Sequence, residues 1–150
     1  MSKNTLMLLF LLTISVPMLG CSDGKLKTYP VSGIVTMNGA PVEGATVIFN
    51  PSKEGVGDAA TGITDAKGEY KLQTAQGRVD AGTTPGEYVV MIKKTEFFET
   101  GQVTTDASGR TSATMDSREV LPARYGGFSS SPLKETVEAK KNVFNFNLED

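Results

Sequence analysis

The chain has no histidine and only one cysteine in 150 residues. Histidine is the commonest general base and the commonest metal ligand, so its absence excludes the usual serine–histidine and cysteine–histidine catalysis. One cysteine cannot form a disulfide within the chain, and folding must therefore rest on the core alone. The net charge of −2 argues against nucleic acid as a partner. We expect a non-enzymatic protein with no catalytic residues, no metal and no cofactor.

Long apolar runs are also absent, except for one near the start of the chain. Residues 6–19 are mostly apolar, Lys3 precedes them, and the small residue Gly20 follows. This three-part layout is typical of a secretory signal. The run is too short to span a bilayer, which needs about 20 residues. The pattern predicts a signal peptide over residues 1–20.

The single cysteine, Cys21, comes directly after this signal. Residues 18–21 read Met-Leu-Gly-Cys, which resembles the lipobox of bacterial lipoproteins, although Leu19 is bulkier than the usual Ala or Ser. The resemblance implies cleavage before Cys21 and a diacylglycerol on its thiol, a side chain that alkylates readily. Residues 21–28 would then form a lipidated tether. Ser22 in place of Asp favours the outer membrane, by resemblance to the enteric sorting rule.

A second interpretation of the same segment stays open. Ordinary secretion with cleavage after Ser22 would use Gly20 and Ser22 as the small residues, and it would discard Cys21. The product would be secreted rather than anchored.

The rest of the chain reads as β-structure. It holds 16 glycines and 7 prolines, and its apolar residues alternate with period two in short segments bounded by turn residues. Seven such segments predict a β-sandwich: residues 31–37, 45–49, 59–64 (with Ile63 as the main apolar residue), 70–72, 88–92, 136–139 and 144–148. The segment 88–92 is apolar on both faces and is expected to be central. The predicted core includes Phe49, Tyr88, Val90, Ile92, Phe144 and Phe146.

One long segment lacks this alternation. Residues 99–119 are rich in Thr, Ser, Asp and Gly, and we expect a loop that is either functional or disordered. The wider segment, residues 96–132, carries aromatic side chains amid polar ones, a pattern that can mark a contact surface. It supplies a candidate binding patch: Phe97, Phe98, Arg124, Tyr125 and Phe128. Alternatively, Phe98 and Tyr125 pin the segment onto the sandwich.

Three blocks resemble the carboxypeptidase regulatory-like domains. These are residues 31–49 (Val-Ser-Gly-Ile-Val to Thr-Val-Ile-Phe), residues 62–70 (Gly-Ile-Thr-Asp-Ala-Lys-Gly-Glu-Tyr) and residues 85–88 (Pro-Gly-Glu-Tyr). The resemblance implies a seven-stranded, prealbumin-like Greek-key sandwich over residues 29–150. It implies no peptidase activity, because the attached peptidase of that family needs histidine ligands.

Asp65 lies in the second of these blocks. Related domains on some bacterial adhesins bind calcium through acidic turns, but Asp65 and Glu69 supply too few oxygens for such an ion. We expect a hairpin turn in which Asp65 bonds backbone amides, with Gly68 at positive φ.

Together these features predict a lipid-anchored protein of the cell envelope with a binding or structural domain. Its partners would be the membrane, through the anchor, and an envelope protein or a carbohydrate. The alternatives are a secreted carbohydrate-binding or accessory module of an extracellular enzyme system, and a subunit of an envelope complex.

Overall fold

A computed structural model describes residues 27–75, 77 and 81–150. The predicted signal peptide (1–20) and the predicted lipid site at Cys21 lie outside the described residues, as does all of the predicted tether except Lys27 and Thr28.

The described residues form twelve β-strands, one 3₁₀ turn and no α-helix. In chain order these elements are β1 Val31–Met37, β2 Ala40–Pro41, β3 Thr46–Pro51, β4 Ala60–Ile63, β5 Glu69–Lys71, β6 Gln73–Thr74, β7 Gly86–Lys93, β8 Thr95–Thr105, β9 Thr111–Glu119, the 3₁₀ turn η1 Ala123–Tyr125, β10 Lys134–Val137, β11 Asn142–Val143 and β12 Phe146–Leu148.

The first sheet is built around β1. Strands β11 and β12 pair with β1 in parallel and in one constant register, with Val31 opposite Asn142 and Val35 opposite Phe146. Strands β5 and β2 pair with β1 in antiparallel fashion. Since β1 is the first strand in the described chain and β12 is the last, this sheet joins the two ends of the domain.

The second sheet has the order β10-β7-β3-β4-β6, and all its neighbours are antiparallel. Strand β7 lies between β3 and β10, which confirms the prediction that the segment 88–92 is an interior strand. Tyr88, Val90 and Ile92 point into the core, and Val89 is also buried.

The core lies between the two sheets, and the all-β sandwich is confirmed. Of the predicted core residues, Phe49, Tyr88, Val90, Ile92 and Phe146 are buried. Phe144 is only half-buried, although it packs against the core cluster. The other large buried side chains include Tyr70, Leu72, Val31, Val35, Val47, Val137 and Leu148.

All seven predicted strand segments are present, but one of them faces the other way. We expected Ile63 to be the main apolar residue of its strand, and its side chain is 69% exposed. Ala60 and Gly62 face inward instead. A Cβ at Gly62 would lie 2.5 Å from the carbonyl oxygen of Lys71, so the neighbouring chain passes too close for a side chain at this position.

The prediction of a long loop over residues 99–119 is wrong. These residues fall within β8 and β9, which form a two-stranded antiparallel hairpin closed by a turn. We call the hairpin, Thr95–Glu119, the arm. Its residues are almost all exposed, and the strands therefore lack the buried apolar face from which the other strands were predicted.

The buried aromatic ring of Phe146 should contribute strongly to stability. We expect Phe146→Ala to lower the free energy of unfolding by about 3–5 kcal/mol, because the truncation removes buried surface and leaves a cavity. Chemical denaturation would measure the change. The matched control is Phe97→Ala, whose ring is 71% exposed and whose loss should cost no more than about 0.5 kcal/mol. Equal stability of Phe146→Ala and the wild type would show that the assigned inward face of β12 is wrong.

Candidate functional site

The arm is the most exposed structure of the described chain. Its two strands pair with each other and with no other described strand. The register places Thr95 opposite Glu119 and Thr105 opposite Thr111, with an irregularity between Glu99 and Val103. Asp106 shapes the turn, because its Oδ1 accepts hydrogen bonds from the backbone N–H groups of Ser108 and Arg110.

One face of the arm carries an apolar stripe of Phe97, Val103 and Met115. Directly opposed residues share a face of an antiparallel pair. Ser117 opposes Phe97, Glu99 opposes Met115 and Ala113 opposes Val103, and residues 113, 115 and 117 alternate onto one face of β9. The side chains of Phe97, Val103 and Met115 are 71%, 67% and 54% exposed, respectively. Exposed apolar side chains rimmed by polar ones mark interaction surfaces, so the apolar stripe is the candidate binding surface of the arm.

The opposite face of the arm carries a group of ion-paired side chains. Glu96 forms ion pairs with Arg118 at 3.1 Å and with Lys94 at 3.7 Å. The hydrogen bond from Arg118 is the main cause that lowers the pKa of Glu96, and the two positive charges add to it. Phe98 lies on this face and is 43% exposed.

The apolar stripe has a different electrostatic environment. Its face carries Glu99 and Glu119, while both arginines of the arm lie elsewhere: Arg118 on the opposite face and Arg110 at the turn. Glu119 accepts a hydrogen bond from Thr95. The stripe therefore lies in an acidic setting that would complement a partner with basic groups around an apolar centre.

The predicted patch of five residues does not form a single surface. Tyr125 is buried and belongs to the core cluster. Arg124 lies over the Tyr125 ring at 4.8 Å, and its Nη2 donates to the carbonyl oxygens of Glu149 (2.7 Å) and Asp150 (3.0 Å). The two side chains thus hold the C-terminal residues against the domain. Of the two residues expected to pin the segment, Tyr125 does so and Phe98 does not.

Phe128 lies in a third place. It is 45% exposed and lines a cleft of about 540 Å³ with Ser52, Tyr88, Val89 and Glu135, among other residues. This cleft flanks the first half of β7, whereas Phe97 lies beyond the last residue of β7. The candidate patch is therefore divided among the arm, the C-terminal contact and this cleft.

Sequence reasoning missed Val103 and Met115. One signal could have found the hairpin that presents them. Asp106-Ala107-Ser108-Gly109 has the same pattern as Asp65-Ala66-Lys67-Gly68, which is a turn signal.

The turn at Asp65 is hydrogen-bonded as expected, but it is not a hairpin turn, because β4 pairs with β3 and β6 whereas β5 pairs with β1 of the other sheet. Asp65 Oδ1 accepts from the backbone N–H groups of Lys67 (2.8 Å) and Glu69 (2.9 Å), and Gly68 has φ 76°. Within the described ranges, no three side chains of the His, Cys, Asp or Glu type come together as a metal site. In the same part of the chain, no helix has the length and apolar character that a membrane crossing requires.

Comparisons with known proteins add little. No family model matches the chain, and no curated protein matches it. Among solved structures, a crystal structure of a 9R-lipoxygenase from Cyanothece PCC8801 is similar with a TM-score of 0.38 and 11% identity. The match covers 83% of this chain, which spans only 16% of the lipoxygenase chain. A likeness this weak carries no argument about fold or activity.

The arm should fold on its own interactions and leave the sandwich unchanged when removed. Thr95 and Glu119 are directly opposed, so an Asn-Gly turn in place of residues 96–118 can join them. We expect the shortened chain to unfold within about 1 kcal/mol of the wild type, because exposed residues contribute little to stability. Denaturant unfolding would measure this. A large loss of stability would show that the arm packs on the sandwich.

The partly buried carboxyl of Glu135 should make stability depend on pH. Burial raises its pKa above the ordinary 4.5. With a raised pKa in the folded state, its stabilising contribution is present below the unfolded pKa and is lost as the pH rises through the folded pKa. We expect Glu135→Gln to match the wild type near about pH 3.5 and to be more stable at about pH 7.

Unfolding curves of the wild type and the variant at each pH would measure this difference. The control is Glu138→Gln, whose carboxylate is exposed and paired with Lys140 at 2.8 Å, and which should show no gain at neutral pH. A Glu135→Gln effect independent of pH would contradict the assignment.

Proposed function

We propose that the protein is a non-enzymatic, lipid-anchored protein of the cell envelope whose sandwich carries a binding arm away from the membrane. Cys21 carries the lipid, residues 21–28 are the tether, and the sandwich has a binding rather than a catalytic role. The membrane is one partner, through the anchor, and an envelope protein is the other.

The observation that carries this proposal is that the first described residues and the arm lie at opposite ends of the sandwich. The described chain enters beside Thr83, which exchanges backbone hydrogen bonds with Tyr29, and β7 begins a few residues later at Gly86. We call this end proximal. Strand β7 has 8 residues and runs about 26 Å away from it. The arm begins at Thr95, at the distal end.

Sequence features support the anchor. The apolar run over residues 6–19 and the cysteine that closes it have the layout of a lipoprotein signal. The resemblance to carboxypeptidase regulatory-like domains supports a module that binds or spaces, and the lack of histidine supports a role without acid–base chemistry of the usual kind.

The apolar stripe supports a protein partner. Phe97, Val103 and Met115 offer apolar side chains, with Glu99 and Glu119 beside them. A protein surface with an apolar centre and basic rim complements this pattern. A carbohydrate partner would be expected to use an aromatic platform, and Phe97 is the only aromatic residue on this face of the arm.

The decisive variant is Cys21→Ser in cells of a lipoprotein-processing bacterium. We expect the wild type to incorporate labelled palmitate and to stay with the outer-membrane fraction, because two or three acyl chains hold a protein almost permanently. The variant should lose the label and either become soluble or remain uncleaved. The matched control, Ser22→Ala, keeps the thiol and should behave as the wild type does.

A soluble wild type whose mature chain begins at Asp23 would refute the anchor. It would support the alternative, a secreted accessory module. Binding by the arm is tested separately: photo-crosslinkers at Phe97 and at Phe128 should differ, with specific products only from the arm.

A further inference from the structure

The proximal end of the sandwich carries a shallow apolar depression of about 410 Å³. Tyr29, Val56 and Pro85 supply its apolar surface, and Lys27 borders it. We call this surface the proximal depression. It lies where the described chain begins, at the opposite end of β7 from the arm.

Val56 is held in this surface by a well-bonded loop. The next-but-one residue, Asp58, accepts a hydrogen bond from Thr83 Oγ1 at 2.8 Å and donates its N–H to Thr84 Oγ1 at 3.2 Å. Both threonines are buried, and their Oγ1 atoms lie 3.1 and 2.9 Å from the hydroxyl oxygen of Tyr88. The loop is therefore fixed to the core by polar groups that are themselves satisfied.

The backbone of the loop lies directly against these hydroxyl groups at Gly57. Its φ is 90°, and a Cβ there would lie 2.6 Å from Thr84 Oγ1 and 2.9 Å from the Tyr88 hydroxyl. Even so, the side chain of Val56 remains 53% exposed. The loop is held closely against the core while the side chain of Val56 faces water. Val56 is therefore a preformed apolar surface for contact with a partner.

The position of the depression indicates what it contacts. Five residues of sequence, 22–26, separate the proposed lipid site at Cys21 from Lys27, and the six Cα–Cα steps between them can span at most about 20–22 Å. This step rests on the proposed function. The lipid anchor would keep the proximal end next to the bilayer, at a high effective concentration that allows a small surface to bind.

The chemistry of the depression fits the membrane–water interface. Lys27 Nζ lies 5.2 Å from the centroid of the Tyr29 ring. Tyrosine and lysine side chains are favoured at this interface, since each has an apolar body and a polar or charged tip. Around the depression, the charges of Lys27 and Lys53 are balanced by those of Glu54 and Asp58, so contact would not depend on anionic lipid.

We propose that the proximal depression rests on the bilayer, with Val56, Tyr29 and Pro85 in the headgroup region. The contact fixes the orientation of the sandwich and points the arm away from the membrane. The lipid anchor attaches the protein to the bilayer, and the proximal depression sets the orientation of the sandwich on it.

Tryptophan fluorescence tests this contact, because the chain contains no tryptophan. The single variant Val56→Trp reports on the proximal depression. Its matched control is Val103→Trp on the arm, since Val103 is an exposed valine of similar exposure, 67% against 53%. Each mature chain (residues 21–150) is coupled through the Cys21 thiol to a maleimide lipid in phosphatidylethanolamine–phosphatidylglycerol vesicles.

We expect Val56→Trp emission to move to shorter wavelength on coupling and to be quenched at least twofold more by nitroxide-headgroup lipids than Val103→Trp emission. Equal quenching of the two variants, or none, overturns the proposal. Backbone hydrogen exchange of the wild type provides a second measurement that needs no substitution. Residues 54–56 should gain protection on coupling and residues 95–119 should not, and unchanged exchange of residues 54–56 overturns the proposal.

The chemical coupling separates this inference from the proposed function. A wild type that takes up no labelled palmitate in cells would refute the anchor and would leave the vesicle result unchanged. A confirmed anchor with no contact at Val56 would refute the membrane-resting surface alone.

Discussion

The packing of Phe49 against Phe144 and Phe146 is the contact on which the two sheets depend. Phe49 lies on β3 of the second sheet, and its ring centroid is 5.9 Å from that of Phe144 and 6.3 Å from that of Phe146. Tyr70 of the first sheet stacks on Phe146 at 6.3 Å. Because one cysteine allows no internal disulfide, this aromatic group must supply the cohesion that cross-links give to many small exported domains.

The same core fixes the positions of peripheral segments, because its tyrosine rings carry hydroxyl groups that need hydrogen-bond partners. The Tyr70 hydroxyl donates to the carbonyl oxygen of Phe144 at 2.9 Å, and that of Tyr88 donates to the carbonyl oxygen of Thr84 at 2.8 Å. Burial, with a smaller contribution from the charge of Glu135, raises the pKa of Tyr70 far above its ordinary value, so this hydroxyl remains a donor. A buried hydroxyl without a partner costs about 1–3 kcal/mol. Each hydroxyl therefore fixes the position of the backbone segment that it bonds. Thr84 in turn bonds Asp58, so the Tyr88 hydroxyl also helps to position the loop that presents Val56.

The sequence predicted the parts of the fold that face this core. Period-two alternation located every strand of the sandwich that has a substantial apolar face, and it placed Tyr88, Val90 and Ile92 inward correctly. It failed for the arm, whose strands have no core to face, although the Asp106 turn repeats the bonding of the Asp65 turn. The sequence analysis also grouped into one patch residues that are near in sequence but make different contacts in the fold. Tyr125 packs beside the C-terminal residues, whereas Phe128 lines the cleft beside Ser52 and Glu135.

The arm does not take part in the packing of the core, yet its base is attached to the sandwich in a fixed direction. Its strands bond only each other among the described strands, so residues on its surface can change without loss of core packing. Yet Lys94 alone separates it from β7, and the carbonyl oxygen of Lys94 accepts a hydrogen bond from the N–H of Val120 at 2.8 Å. Strand β7 is held by β3 on one side and β10 on the other. The direction of the arm at its base is thus set by an interior strand of the sandwich. The loop that presents Val56 is bonded to Thr84, and Thr84 is bonded to Tyr88 of that same strand, so a single element of the core orients both exposed surfaces.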